Sequence, residues 1–366
     1  MKFYVIAGEA SGDLHASNLV KALKQLEPAV QFRGFGGDLM KNAGVELVTH
    51  YRETAFMGFW EVIKNLKTIL SYIDLCKKDV LNWRPDAIIL IDYPGFNLRI
   101  AEFAHKNSFK VFYYISPQVW AWKSSRVKKI KRDVAKMFVI LPFEKDFYKK
   151  WNYDVEFVGH PLLDELKDIK TADLRLKTQK PVIALLPGSR KQEIARMLPI
   201  MLEVVNDFPD HQFVVGAVNS VEENFYRSII GNKNCEIVFD KTYSLLSLAK
   251  AALVTSGTAT METALFNVPQ VVCYKGSGLS YFIARRIVDV KYIAMVNLIV
   301  DRPLVKELIQ QELNYSNLKS ELNKILFDEP GRKEIQDGYK ELKEKLGGAG
   351  ASEKTAKKIL ELLINK

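Results

Sequence analysis

Short apolar runs alternate with amphipathic segments along most of the 366-residue chain. Lys2 to Ala7, Val30 to Phe35, Asp86 to Ile91, Lys110 to Ile115, Lys136 to Leu141 and Asp154 to Val158 read as strands. Several are apolar throughout, as parallel strands covered on both faces are. The segments between them read as helices. After Gly159-His160-Pro161 a polar stretch, Asp164 to Lys180, has the composition of a linker, and the alternation then restarts. Strands are expected near Pro181 to Leu186, Gln212 to Ala217, Glu236 to Phe239, Ala251 to Thr255 and Gln270 to Tyr274, with a helical pattern only from about Pro303 onward. This rhythm predicts an α/β chain of two tandem Rossmann-like, doubly wound domains, residues 1–163 and 164–345. Residues 346–366 are expected to form a C-terminal helix that packs back on the first domain. Ligands of such sheets bind beyond the carboxyl ends of the strands, so an inter-domain cleft is the expected site.

Composition narrows the class. At 48% apolar and 26% charged residues the chain reads as globular and long enough for two cores. Its apolar run before Gly8 and Glu9 is too short for a signal-peptide core, and no stretch has the length to cross a bilayer. Cys76, Cys235 and Cys273 are widely spaced with no C-x-x-C pair, which argues against a disulfide framework or structural zinc and for a reducing cytoplasm. A net charge of +10 fits an anionic partner such as phosphate, nucleic acid or anionic lipid.

Four strand-end loops carry candidate chemistry. In VTSGTATMETALFNVP, Val254 to Pro269, an apolar run stops at Ser256-Gly257-Thr258 and resumes as a helix-forming segment. The first turn of a helix leaves N–H groups unpaired and carries partial positive charge, and Gly257 lets a phosphate approach the backbone. Ser256, Thr258 and Thr260 add hydroxyls, and Glu262, one turn on, could accept two bonds from a ribose diol. The plainer reading makes Thr258 an N-cap and Glu262 a dipole partner. In Pro187-Gly188-Ser189-Arg190, Ser189 with Gln192 has capping-box spacing, while Arg190 could fork onto a diphosphate. Asp92, in Ile91-Asp92-Tyr93-Pro94-Gly95-Phe96-Asn97, ends an apolar strand before a helix expected from about Leu98. A carboxylate there suits a general base, and a turn-forming Asp is the alternative. Finally, Gly8-Glu9-Ala10-Ser11-Gly12-Asp13 lacks the G-x-G-x-x-G spacing, which speaks against a nicotinamide or flavin cofactor. Ser11 or Asp13 could simply cap the next helix. No metal ligand set and no Asp-x-Asp pair is apparent.

The blocks GEASGD, MGFWEVI, IDYPGFN, SPQVWAWKSSRVKKI, LPFEK, GHPLLD, LPGSR, SGTATMETAL and VNLI, in this order across nearly the whole chain, resemble the bacterial lipid-A-disaccharide synthase family. That resemblance implies an inverting glycosyltransferase of the GT-B architecture, with no cofactor, joining UDP-2,3-diacylglucosamine to 2,3-diacylglucosamine 1-phosphate with release of UDP. It implies Asp92 as catalytic base, and a UDP site of Gly188, Ser189, Arg190, Ser256, Gly257, Thr258 and Glu262, with Asn297 near the donor. Glu9 and Ser11 would line the acceptor side.

Lipid substrates fit two further features. In AFMGFWEVIKNLKTILSYI, Ala55 to Ile73, a helix that buries Phe56, Trp60, Ile63, Leu66 or Lys67, and Leu70 leaves Met57, Phe59, Val62, Ile69 and Ile73 over. The surplus, together with Trp60, is a candidate acyl or membrane contact; burial on two sides is the alternative. Lys123 to Lys136 holds seven basic residues and one acid behind Trp120 and Trp122, an expected contact for anionic lipid. No nucleic-acid-binding module is visible. The protein is therefore expected in the cytoplasm, peripheral on the inner face of the cytoplasmic membrane, with oligomeric state, a homodimer included, left open. A UDP-sugar epimerase and a non-catalytic nucleotide-binding module are the competing readings.

Overall fold

The structure is a computed structural model that describes residues 1–54, 66–122, 124–167, 174, 176, 179–276 and 290–364. The chain divides into two compact units, Met1–Lys167 together with Leu346–Lys366, and Asp168–Lys345. Asp164 is thus part of the first unit, where it closes a helix rather than opening a linker. Its carboxylate accepts from the backbone N–H groups of Gly350, Ala351 and Ser352 at the start of the helix Ala351–Ile364. That helix packs along the helix Ala10–Leu26 of the same unit.

The first unit carries β1 (Lys2–Ala7), β2 (Gln31–Gly36), β3 (Glu46–His50), β4 (Ala87–Ile91), β5 (Lys110–Tyr114), β6 (Lys136–Val139) and β7 (Glu156–Phe157). They lie in the order β3-β2-β1-β4-β5-β6-β7, and every pairing is parallel. In the second unit β8 (Val182–Leu186), β9 (Gln212–Ala217), β10 (Cys235–Phe239), β11 (Ala249–Thr255), β12 (Gln270–Tyr274) and β13 (Lys306–Ile309) form a second all-parallel sheet, ordered β10-β9-β8-β11-β12-β13. Both are the doubly wound sheets that the alternating pattern predicts.

Strand periodicity explains why both faces need helices. Ile183 and Leu185 enter one core with Ala251 and Leu253, while Val182, Ala184 and Leu186 enter another with Ala252 and Val254. Successive side chains point to opposite faces, so strands apolar at every position create two cores. β3 and β13 are absent from the sequence reading. Each is a sheet edge of mixed polarity: Lys306 is exposed where Leu308 is buried, so neither shows the continuous apolar run of an inner strand.

The amphipathic segment after residue 65 also differs from expectation. In the helix Leu66–Trp83, Ile73, Cys76 and Val80 are buried with Ile69 packed beside them, while Leu70 is 44% exposed. The core face is therefore the one first assigned to the surplus. Met57, Phe59, Trp60 and Val62 lie outside the described residues. Among the described residues no helix is long and apolar enough to cross a membrane.

Candidate functional site

Each sheet has one place where the chain reverses its direction of strand addition, between β1 and β4 in the first unit and between β8 and β11 in the second. Loops leaving adjacent strand ends there diverge onto opposite faces and open a crevice, the general ligand position of open α/β sheets. All four candidate loops leave these strand ends: Gly8 to Asp13 follows β1, Asp92 to Asn97 follows β4, Pro187 to Arg190 follows β8, and Ser256 to Thr258 follows β11.

In the first unit Ala7 pairs with Ile91, so Glu9 and Asp92 leave neighbouring strands. Gly8 is required by its neighbour, since a Cβ there would fall 2.2 Å from the Tyr93 ring. The helix after Asp92 begins at Pro94, four residues before the expected start, with Pro in the first turn, where its missing N–H costs nothing. That early start places Asp92 and Tyr93 in the left-handed region, at φ 42° and 48°. Such residues cost roughly 1–3 kcal/mol each and persist where surroundings hold them. Asn97 Nδ2 donates to the carbonyls of Ile91 at 3.1 Å and Asp92 at 2.8 Å, and the Tyr113 hydroxyl donates to the same Asp92 carbonyl at 2.5 Å. Burial first, then the nearby charge of Glu9, pushes the Asp92 carboxyl up to about 6, against lowering contributions from the Tyr93 N–H and His15.

Other residues of this crevice have specific partners. Ser11 Oγ donates to Glu9 Oε1 at 2.9 Å. Neither Ser11 nor Asp13 caps the helix Ala10–Leu26, whose N-cap is Glu9. Asp13 is buried and accepts from the N–H groups of Gly37, Leu39 and Met40, which ties the loop after β1 to the turn after β2. His15 Nδ1 lies 3.1 Å from Glu165 Oε1. His160 is buried, with its pKa driven down to about 3 by burial and then by His15, so it is a neutral acceptor for the Leu162 N–H.

In the second unit the helix Thr258–Leu265 starts at an N-cap of Gly257, with no side-chain cap. Thr258 is its first residue rather than its cap, and nothing lies within 4 Å of where a Cβ on Gly257 would sit. Thr258 and Glu262 are four residues apart and share a helix face. Tyr243 donates its hydroxyl to Glu262 Oε1 at 2.9 Å and stacks on Phe266, fixing the carboxylate's direction. Thr260 is buried and returns its hydroxyl to the Gly257 carbonyl, so it is no ligand donor. Ser256 Oγ donates to the Ile293 carbonyl at 3.0 Å.

The loop after β8 is capped one position later than its spacing predicts. Arg190 is the N-cap, and Glu193 rather than Gln192 reaches back, with Oε2 accepting from the N–H groups of Ser189 and Arg190. Gly188 sits at φ 111° with Glu193 Oε2 2.7 Å from a would-be Cβ, so both its backbone angle and its neighbour demand glycine. The Arg190 guanidinium is exposed and pairs with Glu193 at 2.9 Å. Asn297 is fully buried and supports from behind: Nδ2 donates to Val305 O and Glu307 Oε1, and Oδ1 accepts from the Val305 N–H. Glu307 also accepts from Ile293 and Ala294, closing a network that ends at Ser256. A cavity of about 420 Å³ is bordered by Asn297 and Glu307 and by none of the turn residues.

Sequence reading missed Tyr243, Glu307, Asn97 and Tyr113. For the last two a signal exists: a buried tyrosine hydroxyl needs a partner, and Asn97 closes the same IDYPGFN block as Asp92. Among the described residues no cluster of three or more His, Cys, Asp or Glu is arranged to hold a metal.

Two doubly wound parallel units, each with its loops at the switch point, define the GT-B glycosyltransferase architecture. The calicheamicin glycosyltransferase superposes with a TM-score of 0.64 at 13% identity, over 100% of this chain and 98% of that one. UDP-GlcNAc 2-epimerase from Neisseria meningitidis, bound to UDP-GlcNAc, gives 0.62 at 13% identity over 100% of both chains. At such identity the likeness is one of fold, and it spans both enzyme types.

Sequence separates them. The family model for lipid-A-disaccharide synthetase matches residues 3–361, and the chain belongs to that glycosyltransferase family. Lipid-A-disaccharide synthase from Syntrophus aciditrophicus is 42% identical over 98% of this chain and 97% of that protein. The Geobacter metallireducens synthase is 39% identical over 99% and 97%.

Proposed function

We propose that this chain joins UDP-2,3-diacylglucosamine to 2,3-diacylglucosamine 1-phosphate, giving a tetraacyl disaccharide 1-phosphate with a β-1,6 linkage, plus UDP. Family membership supports the reaction; the observation that carries the chemistry is the half-buried Asp92, held in a strained turn with its pKa raised to about 6. A base is most useful when its pKa lies near working pH, ionised yet able to hold a proton. Asp92 takes the proton of the acceptor hydroxyl as that oxygen bonds to the anomeric carbon. The anomeric bond to the diphosphate breaks on the opposite side, which inverts the centre, and UDP leaves with the electron pair.

The leaving group belongs to the second unit in this reading. Backbone N–H groups at Gly257 and Thr258 face the phosphates, and Glu262, oriented by Tyr243, takes the ribose. To fork onto the diphosphate Arg190 must leave Glu193, an exposed pair worth about 1 kcal/mol or less, which a doubly charged ligand readily exceeds. Asn297 positions the Ser256 turn, and Glu9 with Ser11 faces the acceptor. No cofactor or metal is needed, because helix terminus and guanidinium stabilise the departing charge.

Lipid substrates favour a position on the inner face of the cytoplasmic membrane. Support comes from the helix Val127–Asp133, which buries Val127 and Ile130 and exposes Lys128, Lys129 and Lys131, and from Trp122, 40% exposed beneath Arg126. The deciding assay measures UDP release from diacylated UDP-glucosamine with and without the monosaccharide phosphate. Release that requires the acceptor and yields a disaccharide is expected. UDP or an epimerised sugar formed from the donor alone would overturn the reading in favour of an epimerase.

A further inference from the structure

We propose that Asn97 and Tyr113 are positioning residues for the transfer reaction, clamping the peptide between Asp92 and Tyr93 so that the Asp92 carboxylate is aimed. The inference rests on Asp92 being the base. Two donors from separate elements, the helix Pro94–Lys106 and the neighbouring strand β5, converge on one carbonyl oxygen, that of Asp92. A carbonyl accepts two such bonds through its two lone pairs, and with both filled the peptide plane cannot rotate. The other side of this plane is the Tyr93 N–H, whose nearness favours the charged Asp92 carboxylate against burial. Holding the carbonyl therefore fixes the peptide next to the Cα that carries the carboxylate.

The clamp acts on a backbone that would otherwise relax. Asp92 and Tyr93 are consecutive non-glycine residues with positive φ, and neither has a glycine's freedom to stay there. Asn97 and Tyr113 are fully buried, so they act through Asp92 and not on the substrate. Burial, and after it the charge of Asp92, drives the Tyr113 phenol far up, so its hydroxyl remains a donor at every working pH.

Tyr113→Phe and Asn97→Leu in the full chain test this, each measured for kcat, KM of both substrates, the pH profile of kcat and UDP affinity. Tyr113→Phe removes one oxygen and leaves the ring in its core; a kcat about tenfold lower is expected, with donor KM and UDP affinity within about twofold. The acid limb of its profile should shift downward as the carboxylate turns toward water. Asn97→Leu should lose more, about 10- to 100-fold, with the same pattern. Unchanged kcat and an unmoved acid limb in folded Tyr113→Phe would overturn the clamp, as would losses of kcat and UDP affinity in equal proportion. If Asn97→Leu does not fold, Tyr113→Phe decides alone. Asp92→Asn measured alongside keeps the two ideas apart. Its near-normal kcat would remove the base and the clamp together, whereas a large loss in Asp92→Asn with none in the other two would remove the clamp only.

Discussion

In each unit the strand order reverses beside the unit's first strand, at β1 and β4 in one and at β8 and β11 in the other, yet the loops placed there have opposite chemistry. The first unit gathers acids, with Glu9 raising the pKa of Asp92 and His15 beside Glu165. The second presents an uncapped helix terminus, small residues and Arg190. In the proposed function one topology thus supplies a proton acceptor in one unit and an anion holder in the other. Topology decides where chemistry occurs, and a few loop residues decide its sign. A shared detail makes the same point. Glu144 and Glu193 each reach back from a helix's first turn to two backbone N–H groups, yet Glu144 is buried and its pKa is pushed up to about 7, while Glu193 is partly exposed beside Arg190.

The largest test of this division removes the acid. Asp92→Asn keeps size and hydrogen bonding but cannot accept a proton, so kcat should fall roughly 10²- to 10⁴-fold while UDP affinity stays unchanged. In the parent protein kcat should fall as pH drops through about 6, where Asp92 protonates and stops acting as base. Stability carries the same signature with the opposite sense. The folded carboxyl keeps its proton to about 6 and the unfolded one to about 3.8, so stability declines as pH rises between those values. Asp92→Asn abolishes that decline and should raise Tm by a few degrees at pH 8 and little at pH 4. A variant that merely unfolds would return Asp92 to the role of a turn residue and move the base to Glu9.

Next in size is the anion side. Arg190→Ala and Glu262→Ala each remove charge-assisted bonds worth roughly 1.5–3 kcal/mol, so UDP affinity should drop about tenfold or more by calorimetry. If both variants bind UDP normally, the second crevice is not the nucleotide site and the contrast between units fails. Smaller still is the membrane term. Neutralising Lys128, Lys129 and Lys131 should weaken binding to anionic vesicles by about 1 kcal/mol per residue at low salt and less at physiological salt. Equal binding at every salt concentration would leave these lysines as a solvated helix face. The smallest expected effect is none: activity should survive excess EDTA, since helix terminus and guanidinium supply the positive charge. Loss of activity restored by Mg²⁺ would mean that the second unit holds the diphosphate through a cation.

The sequence by itself determined the architecture and the position of the candidate loops. Inner strands such as β1, β9 and β12 are continuous apolar runs between turn residues, a local signal that needs no partner to be read. Gly8, Asp92, Gly188 and Gly257 each interrupt such a run at its carboxyl end, so the candidate loops at the strand ends were legible too. Hydrogen-bond partners were decided only by the tertiary structure. Asp13 serves a turn 24 residues away at Gly37, Tyr243 orients Glu262 from another helix, and Glu307 on an edge strand holds the Ile293 backbone to which Ser256 donates. The helix face buried by residues 66–83 and the edge strands β3 and β13 belong to this second group as well. The physical reason is range: periodicity and turn chemistry act between residues a few positions apart, whereas a buried donor takes whatever acceptor the fold brings within about 3 Å.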